Sequence, residues 1–205
     1  MILYDSIGPN PRVVTMFVAE KGLAIEKRTL DIVKGENRSG PYLDVRRAGT
    51  TPALVLDDGS TLCETIAICE YLDEVHPEPA LIGTTPKERA QTRMWVRRID
   101  LTVTEPMTTG FRAAEGRPMF EPRMRVIRAE GADDLKALAK DGLVAIEAEM
   151  GDQWIVGDRF TLADIALFAF VEFGNMVGQP LPGDLPKLAA WHGRVAARPS
   201  AATAG

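Results

Sequence analysis

The sequence predicts a small α/β layer followed by an all-helical half, and three observations carry that expectation. In the first 78 residues short β-forming runs alternate with a helical pattern; a proline-rich stretch then interrupts the chain; beyond it no alternating strand pattern recurs. At 205 residues with 45% hydrophobic side chains, the chain can bury real cores without staples. The expected boundaries are residues 1–78 for the α/β domain, 79–86 for a linker and 87–205 for the helical domain.

"ILYD" begins the first strand. "NPRVVTMFVAEKG" carries a helix start and stop, with Asn10 as N-cap, Pro11 at the first helical position and Gly22 after the end. "AIEKRTLDI" reads as a second strand, and a crossover helix between the two implies that they run parallel. "RSGPYLDVRRAG" reads as a short irregular helix. "TPALVLDDGSTLC" holds two β runs joined by Asp58 and Gly59, a pair that tolerates the positive φ of a tight hairpin, so the sheet is mixed. "ETIAICEYLDEVH" then sets Ile68, Tyr71, Leu72 and Val75 at helical spacing.

Pro77, Pro79, Gly83 and Pro86 punctuate the approach to the helical half. Helices are predicted there over 86–114 (bent near Pro106), 120–129, 133–150, 161–177 and 186–197. The 133–150 helix aligns Leu135, Leu138, Ala139, Ile146 and Met150 on one stripe. "TLAD" at 161–164 fits a capping box, with Thr161 meeting one free N–H and Asp164 another, although Asp stands where Glu or Gln is commoner.

Composition narrows the function. The start "MILYDS" lacks a basic region followed by a long apolar run, and no segment approaches the roughly 18 apolar residues of a membrane span. A cytoplasmic protein without a membrane partner is expected. The net charge of −5 argues against nucleic acid as a partner. Cys63 and Cys69 match neither a redox pair nor a metal site, and two histidines add no ligand cluster, so no metal is expected. The cysteines read as small apolar residues near a strand–helix junction. Residues 87–128 nevertheless hold ten basic side chains against five acids. That excess is either solvated helix surface or an anion-attracting wall or subunit contact.

A strand, helix and strand, a Thr-Pro before a hairpin, a helix opening on Glu-Thr and then an all-helical half resemble the cytosolic glutathione transferases across nearly the whole chain. "TPALVLDDGSTLCETIAICEYL" is similar to the second half of that family's thioredoxin-like βαβαββα domain, and "WIVGDRFTLADIALFAF" to the capped helix at the core of its helical-bundle domain. The resemblance implies a cis bond between Thr51 and Pro52, which turns the Thr51 backbone toward the cysteinyl backbone of glutathione like an added strand. It implies that Glu64 and Thr65 open a helix whose N-terminal amides suit the γ-glutamyl carboxylate, with Glu64 taking the ammonium. It places Asn37 and Arg38 of "GENRS" in the loop used for the glycine carboxylate. From the residues alone, an ordinary trans Thr-Pro turn and a plain Glu64-Thr65 helix cap remain open.

A cysteine thiol has a pKa of about 8.5, so little of it is thiolate at neutral pH. Lowering it by about two units requires roughly 2.7 kcal/mol of differential stabilisation, which hydrogen bonds and a helix N-terminus can supply. In many family members Tyr, Ser or Cys near the start of the first helix donates to the sulfur. Here that place reads "GPNPR" and aligns Asn10, whose NH2 can donate even if its oxygen caps the helix, as in Asn-using bacterial members. Ser6 and Tyr4 are the alternatives. The chain is also similar to atypical fungal and bacterial members in which a serine and a histidine four residues apart hold a water near the sulfur. The matching positions are Thr108 and Arg112; arginine cannot accept a proton at neutral pH, although its charge can steady a thiolate or an anionic leaving group.

The resemblance therefore implies a homodimeric enzyme that uses glutathione as co-substrate against a small, mostly hydrophobic electrophile. Specialised glutathione chemistry is the alternative within enzymes: β-ether cleavage, dehalogenation, isomerisation, or reduction of a disulfide or peroxide. A noncatalytic binding module is the alternative outside them, since a fold does not fix a function.

Overall fold

The structure, a computed structural model, describes residues 1–202. The chain packs as two compact units, Met1–Ile82 together with the segment that starts at Ala197, and Gly83–Ala196. The sequence boundary keeps 87–205 together; the structure instead returns the tail to the first unit. The reason is a polar clasp. Arg198 Nε and Nη2 donate to the two carboxylate oxygens of Glu20 at 2.7 and 2.6 Å, Ser200 adds a third bond to that carboxylate, and Arg12 donates to the Ala201 carbonyl at 3.2 Å.

The first unit contains β1 (Ile2–Asp5), α1 (Pro9–Glu20), β2 (Glu26–Thr29), α2 (Tyr42–Val45), β3 (Ala53–Val55), β4 (Thr61–Cys63) and α3 (Thr65–Val75). The sheet order is β2-β1-β3-β4. β1 runs parallel to β2 with Ile2 opposite Glu26, and antiparallel to β3 with Leu3 opposite Leu54; β3 and β4 form the hairpin. The predicted mixed sheet is therefore present. Leu3 and Leu54 are fully buried, as are Val13, Val14 and Phe17 of α1 and Ile68 and Leu72 of α3. Val75, expected on that inner stripe, ends α3 and is 46% exposed.

A buried ion pair links these two helices. Lys21 Nζ lies 2.6 Å from Asp73 and also donates to the carbonyls of His76 and Pro79 at 2.6 and 2.7 Å, while Asp73 accepts from the Leu81 N–H. Charges this deep are tolerated because their remaining hydrogen-bonding capacity is satisfied. The chain leaving α3 is thereby tied to the end of α1.

α1 begins earlier than its sequence signals suggest. Gly8 is the N-cap, at φ 127, Pro9 opens the helix, and Asn10 and Pro11 sit inside the first turn. Two prolines offered two starts, and the earlier prevails because glycine alone accepts the backbone angle at position 8 without penalty. Gly22, at φ 64, does follow the helix end as expected.

The second unit contains α4 (Pro86–Ile99), α5 (Glu105–Ala113), α6 (Arg117–Phe120), α7 (Ala132–Glu149), α8 (Leu162–Met176) and α9 (Pro186–Ala196). α4 opens on a complete capping box formed by Thr85 and Glu88. Between α4 and α5, Asp100–Thr104 winds as a π-helix. The expected bend at Pro106 is thus an interruption just ahead of it. Proline has no N–H for the Thr102 carbonyl, and wider winding accommodates its ring. That carbonyl lies against α7, where a Cβ on Gly142 would fall 2.2 Å from it.

The predicted helix over 120–129 does not form. α6 is a single turn, and turns and extended chain follow it until Ala129. Pro122 is not the reason: Glu121 keeps helical angles and the Met124 N–H still donates to the Phe120 carbonyl at 3.0 Å, but none of residues 121–130 is buried, so no packed face sustains the winding beyond Met124. The α7 stripe is narrower than predicted: Ala139, Ile146 and Met150 are buried, but Leu138 is 56% exposed. α8 is the core helix, buried at every residue from Leu162 to Val171. Among the described residues no helix is long and apolar enough to cross a membrane.

Candidate active site

The loop before β3 is held from three sides. Gly49 adopts φ 60, and a Cβ there would lie 2.5 Å from the Asn37 carbonyl, so the turn requires glycine. Asn37 Nδ2 donates to the Gly49 carbonyl at 2.6 Å. The Tyr42 hydroxyl donates to the Thr50 carbonyl; burial first, then the neighbouring Cys63, push its pKa up to about 12, so it stays a neutral donor. Arg46 Nε donates to Thr50 Oγ1 at 3.1 Å.

This loop delivers Thr51 and Pro52, whose peptide bond is cis. Thr51 Oγ1 and Ser6 Oγ are 2.6 Å apart, and the Ser6 hydroxyl also reaches the Ile7 carbonyl at 3.2 Å. Ser6 is 1% exposed. It braces the cis-proline loop against the end of β1 and is not an accessible donor. Among the described residues, no hydrogen bond takes up the backbone N–H or C=O of Thr51, which precedes the first ladder residue, Ala53.

β4 leads directly into α3 through Glu64, which adopts φ 70 and ψ 119 and is the one non-glycine residue with positive φ among those described. Such a conformation costs on the order of 1–3 kcal/mol and persists only where surrounding contacts impose it. Glu64 occupies the N-cap position yet makes no side-chain cap bond. Its carboxylate instead accepts from Arg46 Nη2 at 3.0 Å. The first turn of α3 therefore keeps its free N–H groups without a side-chain cap, a favourable place for a carboxylate.

Asn10 meets this helix from α1. Its Oδ1 accepts from Thr65 Oγ1 at 3.1 Å, and α1 carries no side-chain cap. The capping role expected of Asn10 is absent. With its oxygen turned to Thr65, its NH2 has no partner among the described residues and remains a half-exposed donor. Residues 55 apart in sequence are joined by this contact.

The remaining expected site residues lie differently. Asn37 is buried and committed to the Gly49 carbonyl, which removes its amide as a carboxylate ligand; exposed Arg38 keeps that possibility, with its stem along Gly49. Tyr4 is half-buried, not core, and its hydroxyl accepts from Arg28 at 3.1 Å. Thr108 is buried and donates back to the Thr104 carbonyl at 2.8 Å, so its hydroxyl serves its own helix. Arg112 lies over the Phe120 ring at 5.6 Å, beside Phe111, and has no carboxylate partner among the described residues. Much of the surrounding basic excess is paired, as between Arg97 and Asp100 at 2.9 Å and between Arg117 and Glu121 at 3.3 Å. Sequence reasoning missed Arg46 and Tyr42, which no motif singles out.

The chain matches two family models, "Glutathione S-transferase, N-terminal domain" over residues 7–75 and "Glutathione S-transferase, C-terminal domain" over residues 119–199. It is 31% identical to glutathione S-transferase 2 of Saccharomyces cerevisiae, covering 98% of this chain and 87% of the yeast protein. The chain belongs to the glutathione S-transferase family. Among solved structures, this transferase resembles a glutathione S-transferase domain-containing protein of Marinobacter aquaeolei, with 34% identity, a TM-score of 0.89, and 98% and 99% of the two chains covered. It is also 30% identical to the maleylacetoacetate isomerase of Pseudomonas aeruginosa over 78% of this chain and 76% of that one. The glutathione S-transferase fold thus accounts for both units, each of which carries its own family match.

Proposed function

We propose that this transferase binds glutathione along the first unit and that Asn10 donates the hydrogen bond that holds the sulfur as thiolate. The observation that carries the reading is the Thr65–Asn10 contact, which engages the amide oxygen and leaves the NH2 available beside an uncapped helix N-terminus. In this reading the Thr51 backbone pairs with the cysteinyl residue, the α3 amides, the Thr65 N–H among them, receive the γ-glutamyl carboxylate while the Thr65 hydroxyl stays on Asn10, Glu64 receives the ammonium, and Arg38 attracts the glycyl carboxylate. The thiolate then attacks a small electrophile. Asn10→Ala should raise the pKa of bound glutathione by about one unit, equivalent to about 1.4 kcal/mol, as read from ultraviolet thiolate absorbance against pH. An unchanged titration would remove Asn10 from the chemistry; absence of glutathione binding by calorimetry at millimolar ligand would remove the whole reading.

One observation favours a second reaction. Arg112, a cation with no carboxylate partner among the described residues and set on an aromatic face, suits an unsaturated or aromatic substrate that itself carries a carboxylate. With such a substrate a glutathione thiolate can add and leave again, as in isomerisation, the activity in the name of the Pseudomonas relative. A turnover panel of neutral and acidic electrophiles separates the two, and turnover of none of them would favour a binding module.

A homodimer fits a groove within the second unit. It has a volume of about 560 Å³ and is lined in part by Leu101, Pro106, Leu135 and Leu138, of which Leu101 and Leu138 are 54% and 56% exposed. A second copy would cover this apolar face. Leu101→Glu with Leu138→Glu should halve the mass in solution, and an undisturbed mass would place the contact elsewhere.

A further inference from the structure

Glu64 is already occupied. Its carboxylate accepts from Arg46 Nη2 at 3.0 Å, and the same guanidinium is anchored through Nε to Thr50 Oγ1 at 3.1 Å. Both partners are held before any ligand arrives. Glu64 sits at φ 70 between β4 and α3, and Arg46 sits at the C-terminus of α2, where its carbonyl accepts from the Gly49 N–H at 2.8 Å. A pair anchored at both ends has already lost part of the side-chain freedom that usually cancels the value of a surface ion pair.

We infer that Arg46 is a specificity-determining residue, a built-in competitor that the ligand's ammonium must displace from Glu64. The inference rests on the reading that Glu64 receives the γ-glutamyl ammonium. Binding then exchanges one ion pair for another: the ammonium takes the carboxylate, and the Arg46 guanidinium keeps Thr50 and turns its freed edge to water. A peptide identical except for that amino group binds without the exchange and leaves Arg46 and Glu64 paired. Arg46 therefore reduces the advantage of possessing an α-amino group. Without Arg46, Glu64 would stand as an unpaired anion, attracting the ammonium of glutathione and repelling the carboxylate of a desamino peptide.

The test compares glutathione with desamino-glutathione by calorimetry in the wild type, Arg46→Gln and Glu64→Gln. Because Glu64 is 78% exposed, the pair is a modest one. Arg46→Gln should tighten glutathione about two- to fivefold and weaken the desamino peptide, widening the ratio of their dissociation constants. Glu64→Gln should bring the ratio close to one. A ratio that Arg46→Gln leaves unchanged or narrows, or weaker glutathione binding in that variant, overturns the competitor role alone, provided Glu64→Gln collapses the ratio. A ratio that survives Glu64→Gln overturns the ammonium assignment and this inference with it.

Discussion

The N-termini of α3 and α8 follow extended chain in the same way and are finished in opposite ways. At α8, the Thr161 hydroxyl accepts from the Ala163 N–H at 3.2 Å, and Asp164 accepts from the Thr161 N–H at 2.8 Å. The other Asp164 oxygen accepts from the Ile155 N–H and the Trp191 indole, both at 2.9 Å, and Thr161 and Asp164 are fully buried. At α3, the residue in the cap position is exposed, holds positive φ and leaves the helix uncapped. A cap of the first kind is worth about 1 kcal/mol, and α3 forgoes it while bearing strain of similar size. The satisfied terminus organises a core; the unsatisfied one keeps its donors for a ligand.

Breaking the α8 terminus should have the largest effect. Asp164→Ala strands two backbone N–H groups and an indole N–H in the core, and should cost about 3–5 kcal/mol in urea unfolding. Lys21→Met, which leaves Asp73 buried without its counter-ion, should cost about 3 kcal/mol by the same measurement, showing that the first unit has a satisfied polar core of its own. Gly142→Ala drives a methyl into the Thr102 carbonyl and should cost about 2 kcal/mol as the π segment and α7 separate.

A smaller, pH-dependent effect should appear at Glu20. Burial raises its pKa, but hydrogen bonds from Arg198 and Ser200 outweigh burial and hold the carboxyl below its ordinary value of 4.5. Its folded pKa is thus depressed. The stability it contributes is complete above 4.5 and is lost as pH falls through the lower folded value. Hydrogen exchange in residues 197–202 should rise across that window, and Glu20→Gln should remove the dependence. Least affected should be Glu64→Gly: relief of positive φ offsets the lost exposed ion pair, leaving stability level or up to about 1 kcal/mol higher. Glutathione affinity should nevertheless fall, and a large loss of stability there would erase the contrast between the two termini.

The same contrast explains what could be read from the sequence. The α8 box is legible because its partners lie three residues apart, and the mixed sheet because each strand and turn announces itself locally. Asn10 could be singled out but not correctly placed, since "GPNP" contains two possible helix starts and only the three-dimensional backbone decides between them. The strain at Glu64 leaves no mark on residue type. Its partner Arg46 comes from 18 positions away, and the commitment of Asn37 to Gly49 spans 12. The missing helix over 120–129 shows the reverse error: arginine and methionine favour helix one by one, but none of residues 121–130 is buried, so no packed face sustains the run.

The Arg198–Glu20 clasp bears on how the molecule is made. α1, which carries Asn10, is translated well before residues 197–202, and those later residues supply one of the two polar fastenings of its far end, the other being the Lys21–Asp73 pair. During synthesis this second fastening can form only after the helical unit has been produced. A chain cut back to Ala196 would keep every residue assigned to glutathione and still lack one of the two fastenings of the helix that presents Asn10.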